Sequence, residues 1–304
     1  MAIRERRFQF VEDAWEGHIP AISCDGLVPG AALDLTHWQG NRTPGKYKAD
    51  TSTEIALNFA GSPEALNEWA EAVVVNNHFD TDGLLSIWVL LDPEQAMTYR
   101  DLLVAAAEAG DFDEWPTLDR GLWLDAAIRA LGSGAGDDAA AYETVLAQLP
   151  QLIRRVDERR DLWGREWDKL QAAEAALEAG RLRTESVGWI GVMVHTPGQS
   201  EAPGPLLSRR FLPGARRYLL AFDRGDGRYD YRYERPHYAW ADTVVRPVLL
   251  PPDAGAIASA MGADWSDEGL PGMTGVVRTN RPVSERPDEV IQRLIQIDSG
   301  GFGS

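Results

Sequence analysis

The sequence predicts an α/β chain: a parallel-type sheet flanked by helices with a long helical arm, followed by a smaller α+β domain. Three observations lead there. Val73-Val74-Val75 is a β-branched apolar run that passes within a few positions into the apolar stretch Leu84–Leu91, the pattern of a buried strand feeding a helix. Short strand-like segments and capped helical segments alternate from Phe8 to Gly110. Beyond about residue 184 helical periodicity gives way to strands and hairpin chemistry. The expected division is residues 1–184 for an α/β metal-binding domain with its helical arm, 185–298 for an α+β domain with a β-hairpin and arginine-rich loops, and 299–304 for a disordered tail.

The elements follow in order. Phe8-Gln9-Phe10-Val11 alternates as a short strand, Ala21–Cys24 ends on the acidic turn Asp25-Gly26, and Leu33–Trp38 is a third strand ending on a histidine. Residues 40–45 form a loop by composition. Thr51-Ser52-Thr53-Glu54 before Ile55–Phe59 announces a helix start, and Ser62-Pro63-Glu64 another. After the valine strand and its helix, Asp92 caps a fresh helix with Pro93 at its first position, running to about Gly110. Leu118–Ile128 is helical. Gly132–Gly136 is a break, and Asp137-Asp138 caps a long charged helical region to about Gly180, interrupted at Pro150. Strands return at Val187–His195. Tyr218–Phe222 and Tyr229–Tyr233 flank Asp226-Gly227 as a hairpin, Ala254–Met261 is a helix, and residues 287–297 close the chain as another.

Composition narrows the function classes. Hydrophobic residues make up 44% of the chain, enough for a substantial core, and eleven tryptophans supply large aromatic anchors or an aromatic-lined pocket. The single cysteine, Cys24, excludes an intrachain disulfide and fits a reducing compartment. The N-terminus lacks the apolar core of a signal peptide and no apolar run approaches a membrane span, so cytoplasmic localisation without membrane association is expected. Residues 1–180 hold 15 Lys+Arg against 32 Asp+Glu, an acidic body that argues against duplex nucleic acid as partner. Residues 181–304 hold 15 Arg and no Lys, which suits planar recognition of phosphate or carboxylate. Arg278 and Arg281, beside the glycine-rich stretch Gly269–Gly275, are the candidate substrate-binding arginines.

The chemistry concentrates at His78-Phe79-Asp80-Thr81-Asp82-Gly83. In an extended chain alternate residues share a face, which would point His78, Asp80 and Asp82 the same way. One imidazole and two carboxylates at the carboxyl end of a strand form a cradle for a hard divalent cation. Gly83 is expected to allow a sharp turn. The competing interpretation is turn chemistry, with Asp82 as a helix N-cap. An EF-hand is excluded, because with Asp80 and Asp82 at loop positions 3 and 5 the twelfth position is Val89 rather than Glu. Asp119 is a further ligand candidate. His195 and His237, at strand ends, are candidates to line a cleft; His18 has no evident partner.

The hexapeptide His78–Gly83, between a valine strand and an apolar helix, resembles the first motif of the DHH phosphoesterase superfamily. Leu35-Thr36-His37-Trp38, Gly40-Asn41 and Asp50–Ile55 are similar to that family's namesake segment and the Ser/Thr-rich helix start behind it. The match covers roughly residues 20–92. It departs from the family in having Thr36-His37-Trp38 where Asp-His-His is usual, in a reversed motif order that a circular permutation would produce, and in lacking the glycine motif of the second domain. The resemblance implies one or two Mn²⁺ or Mg²⁺ ions. His78 and Asp80 would hold one, His37 and Asp82 the other, and Asp25 would bridge. It further implies hydrolysis of a phosphodiester or phosphoanhydride in a small phosphate-containing substrate. The alternative is a non-catalytic metal- or ligand-binding protein on a degenerate DHH-like scaffold. A third is an assembly protein, a homodimer paired through the arm at residues 151–180. The chain as a whole also resembles an uncharacterised family of bacterial proteins of similar size.

Overall fold

The structure is a computed structural model that describes residues 6–197, 205–262, 264–268 and 275–301. The chain forms two compact units. Unit 1 is Met1–Trp167 with Ala241–Arg246, and unit 2 is Asp168–Trp240 with Pro247–Ser304. The division falls inside a helix, between Trp167 and Asp168, whereas the change from helix to strand suggested residue 184. The expected tail falls partly outside the described residues, at 302–304.

Unit 1 is built on a sheet of four short strands, β1 (Phe8–Phe10), β2 (Ala21–Cys24), β3 (Leu33–Leu35) and β4 (Val73–Asn76), in the order β1-β4-β2-β3. All three pairings are parallel, with Ile22 aligned to both Val74 and Leu33. Both faces of β2 and β4 are buried, which explains why the valine run shows no alternation. Around the sheet lie α1 (Ser52–Ala60), α2 (Pro63–Glu68), α3 (Thr81–Leu91), α4 (Pro93–Thr98), α5 (Arg100–Phe112), α6 (Asp119–Gly132), α7 (Asp138–Leu146), α8 (Leu149–Arg155) and the first part of α9 (Arg160–Glu178), with a 3₁₀ turn at Val156–Glu158. Four of the caps are those the sequence announces. Thr51 accepts from Glu54 N, Ser62 from Ala65 N ahead of Pro63, Asp92 from Gln95 N ahead of Pro93, and Asp137 from Ala140 N.

Two expectations need revision here. The single helix expected from Pro93 to Gly110 is two, meeting at Tyr99, a residue of non-helical backbone whose side chain supplies no cap. The expected charged helical arm is partly core. Trp163 of α9 is buried against Trp123, their rings stacked at 4.4 Å, and Ala173 and Ala176 further along are buried too. None of the large hydrophobic side chains exposed among the described residues lies on α9. The core of unit 1 joins Ile22 and Val74 of the sheet to Leu57 and Phe59 of α1, Leu85 and Trp88 of α3, Leu103 of α5 and Tyr142 of α7.

Unit 2 carries a six-stranded mixed sheet: β5 (Leu182–Val187), β6 (Ile190–His195), β7 (Arg217–Asp223), β8 (Tyr229–Glu234), β9 (Trp265–Glu268) and β10 (Val276–Thr279), in the order β5-β6-β7-β8-β10-β9. The β7–β8 hairpin turns at Asp226-Gly227, with Gly225 and Gly227 both at positive φ. β6 and β7 are parallel, and α10 (Pro205–Phe211) lies in their connection. A 3₁₀ turn covers His237–Trp240, and α11 (Ala254–Met261) and α12 (Pro287–Ile297) complete the unit. Val192, Leu219, Tyr231, Trp265, Val290 and Leu294 form its core. Arg217, fully buried, is paired through Nε with Asp298 at 2.5 Å, and Tyr233 donates to the same carboxylate at 2.7 Å. A buried guanidinium is tolerable only with such a partner. Among the described residues no helix is long and apolar enough to cross a membrane.

Candidate metal centre

In unit 1 the carboxyl ends of β2, β3 and β4 and the N-termini of α1 and α3 bring together the five ligand candidates. They form two triads sharing one carboxylate: Asp25, His37 and Asp82 make an inner, fully buried set, and Asp25, His78 and Asp80 an outer, partly open one. Within each triad one ligand atom per residue lies within 4.8 Å of the others. His78 Nε2 is 2.9 Å from Asp25 Oδ2 and 3.3 Å from Asp80 Oδ2, and His37 Nε2 is 3.7 Å from Asp25 Oδ1.

The backbone explains how the residues converge, and it is not by alternation. β4 ends at Asn76; His78 stands in the following loop, Asp80 is the N-cap of α3, and Asp82 lies in its first turn. The cap is therefore Asp80, whose Oδ1 accepts from Gly83 N at 2.7 Å, and not Asp82. Asp82 is turned inward, where its two oxygens accept from Ser52 N and Thr53 N, each at 2.7 Å, at the N-terminus of α1. Gly83 has no positive φ. It is required because a Cβ there would meet Asn76 Nδ2 at 2.6 Å and Tyr142 Oη at 2.9 Å.

Asp25 holds a left-handed backbone, φ 65°, directly after β2. That is costly for a residue with a Cβ and occurs where surroundings impose it. Here its N–H is bound by Leu35 O, its carbonyl accepts from the Thr36 hydroxyl, and its Oδ1 accepts from Ser52 Oγ at 2.7 Å. His37 is fixed from behind. Nδ1 donates to Asp50 O at 2.7 Å, which leaves Nε2 facing the cluster. Asp50 is itself anchored, its carboxylate accepting from Val245 N at 2.8 Å, Val244 N, Arg246 N at 3.1 Å and the Arg246 guanidinium at 2.7 Å. Arg246 also reaches Glu108 and Glu114.

The electrostatics are those of crowded carboxylates. Burial raises the Asp82 pKa first and the neighbouring Asp25 charge adds to it, to about 7. Burial pushes His78 down, but hydrogen bonds and charge from Asp25 and Asp80 outweigh that and bring it to about 11. Asp25 moves the other way: burial raises it, yet His78 and His37 lower it on balance.

One residue in the site carried no sequence signal. Asp111, at the end of α5, places Oδ2 3.4 Å from His37 Nε2; its side chain is 10% exposed. That oxygen is buried and receives no hydrogen bond from any described residue. Burial first, then the charges of Asp82, Asp25 and Asp80, raise its pKa well above the usual carboxylate range. An unsatisfied buried carboxylate oxygen beside an imidazole fits a cation as its missing partner. The ligand atoms are all imidazole nitrogen and carboxylate oxygen, donor types that can hold a divalent cation.

Asp119 is exposed and accepts from Trp115 Nε1. Arg278 pairs with Glu268 at 3.1 Å and Arg281 with Asp264 at 2.6 Å, in unit 2; residues 269–274 of the glycine stretch beside them lie outside the described residues. His195 is buried and stacked on Phe222, and His237 opens a 3₁₀ turn instead of ending a strand. Trp38, half-buried, stands with its ring centroid 5.2 Å from that of His78.

A family model described as a family of unknown function (DUF6687) matches residues 6–281. No curated protein matches the chain.

Proposed function

The chain belongs to the DUF6687 family, which carries no assigned activity, and from the geometry of unit 1 we propose a divalent-metal-dependent phosphoesterase or pyrophosphatase. The observation that carries this is the pair of triads meeting at Asp25, the arrangement required of a carboxylate that bridges two cations. The resemblance of His78–Gly83 to the first DHH motif suggests phosphoryl chemistry as the use of such a pair. Bound cations would supply a water acidic enough to ionise near neutral pH and positive charge for the oxygens of an in-line displacement. Asp82 and His37 would hold the inner ion, His78 and Asp80 the outer one, and Asp25 both.

The protein's own residues do the rest. The N-terminus of α1 orients Asp82 through two backbone N–H groups. Asp50 keeps the His37 proton on Nδ1. His78 and Asp80 are 27% and 39% exposed while the inner ligands are buried, so a phosphate substrate would approach the outer side. Trp38 beside His78 supports the second reading, a binding protein whose mouth is narrowed by an indole.

The test is metal content and Mn²⁺-dependent hydrolysis of a panel of phosphodiesters and phosphoanhydrides, with wild type beside Asp80→Ala. Metal and activity that both fall in the variant are expected. Metal without activity across the panel would favour the binding protein, and no metal in either would reduce His78–Gly83 to a turn.

A further inference from the structure

The outer triad is carried by two loops, Asp25-Gly26 after β2 and Asn77–Asp80 after β4, which have to be held at a set separation. A buried hydrogen-bond chain joins them. Tyr142 Oη, from α7, donates to His78 O at 2.8 Å and accepts from Asn76 Nδ2 at 2.8 Å. Asn76 Oδ1 then accepts from Gly26 N at 3.0 Å and from Asn77 N at 2.8 Å. Tyr142 and Asn76 are fully buried, and the His78 carbonyl can only accept, so the hydroxyl is the donor in that bond. The chain is closed in by glycines. A Cβ on Gly26 would meet Asn76 Oδ1 at 2.5 Å, and one on Gly83 would meet both Asn76 Nδ2 and Tyr142 Oη. The Tyr142 ring is separately held by Phe8 at 4.6 Å and Phe79 at 5.1 Å, so packing alone would keep the helix in place without the hydroxyl.

We propose that Tyr142 and Asn76 are positioning residues for the outer ion: their hydrogen-bonded brace fixes the His78 loop against the Asp25 loop so that His78, Asp80 and Asp25 converge on one cation. This rests on the metal-centre reading of the cluster. The inner triad has other supports, Ser52 Oγ and Leu35 O on the shared Asp25, the α1 N-terminus on Asp82 and Asp50 on His37, so removing the brace should damage the His78 side of the centre only. Orienting partners behind metal ligands are worth about 10–100-fold in affinity.

The experiment is a titration of the metal-free, full-length protein with Mn²⁺ alone, following free Mn²⁺, for wild type, Asp80→Ala and Tyr142→Phe. Asp80→Ala identifies the outer step. The expected result is that Tyr142→Phe weakens that step by about 10–100-fold and leaves the inner step unchanged. In the metal-free protein, the Gly26 and Asn77 amides should exchange with solvent faster in Tyr142→Phe, because both are bonded to the Asn76 oxygen that the brace steadies. An unchanged outer affinity, an equal loss at both steps, or unchanged exchange at Gly26 and Asn77 would overturn the proposal. A wild-type protein that takes up no Mn²⁺ would refute the metal centre itself, an outcome distinct from two normal binding steps in Tyr142→Phe.

Discussion

Asp111→Asn should separate what the site costs the fold from what it gains on binding. In the metal-free protein the Asp111 carboxyl is buried near Asp25, Asp80 and Asp82, whose charges oppose its ionisation, and its Oδ2 accepts no hydrogen bond from any described residue. Asparagine has the same shape and no charge. The variant should therefore be as stable as wild type without metal, or more stable by up to about 2 kcal/mol, the scale of relieving an unsatisfied buried polar group. Bound metal should reverse the order. An ion at a hundred times its Kd stabilises the folded state by about 2.7 kcal/mol. With a shift of about 2–4 °C per kcal/mol for a unit of this size, wild type should gain roughly 5–11 °C on saturation. A 10–100-fold loss of affinity would remove about 1.3–2.3 kcal/mol of that. The assay is calorimetric unfolding of both proteins in chelator and in a Mn²⁺ series. A variant that melts well below wild type in chelator, yet keeps the full Mn²⁺ shift, would show that Asp111 is a structural carboxylate and that its orientation toward His37 has nothing to do with cations.

Other outcomes follow from particular contacts. Gly83→Ala would ordinarily stabilise a helix by up to about 1 kcal/mol, but the new Cβ would meet Asn76 Nδ2 at 2.6 Å and Tyr142 Oη at 2.9 Å. A net loss of about 1–3 kcal/mol is expected in urea unfolding, and a stabilised variant would contradict the packing described. His195 is buried on Phe222 with Nε2 unsatisfied by any described residue, and burial lowers its pKa to about 4. Because the unfolded chain takes up this proton near pH 6.5 and the folded chain only near 4, stability should fall as pH drops through that window, by on the order of 2–3 kcal/mol. His195→Phe should match wild type at pH 7 and exceed it at pH 4.5 in denaturant unfolding; parallel pH profiles for the two proteins would refute the assignment.

Much of unit 1 was legible in the chain itself. Thr51, Ser62, Asp92 and Asp137 cap the helices expected of them, because an N-cap is a local contact between a side chain and backbone two or three residues on. The valine run Val73–Val75 is the buried parallel strand its composition implies. His78, Asp80 and Asp82 do converge, but through a loop, a cap and a helical turn, where the expectation was one face of an extended strand. The error came from assuming strand geometry past Asn76; the Asp80 cap starts the helix earlier.

The sequence by itself determined the buried valine strand, the caps at Thr51, Ser62, Asp92 and Asp137 and the residue types able to bind a hard cation, since each depends on neighbours within a few positions. Only the tertiary structure decided that Asp25 is shared between two triads, that Asp82 is held by the N-terminus of α1, and that Asp111, Asn76 and Tyr142 belong to the same site. The physical reason is separation along the chain. Asp25 and Asp82, or Asn76 and Tyr142, meet only because parallel strands place their carboxyl ends side by side and the helices pack around them. No local pattern records which distant side chain will fill the space left by a glycine such as Gly83.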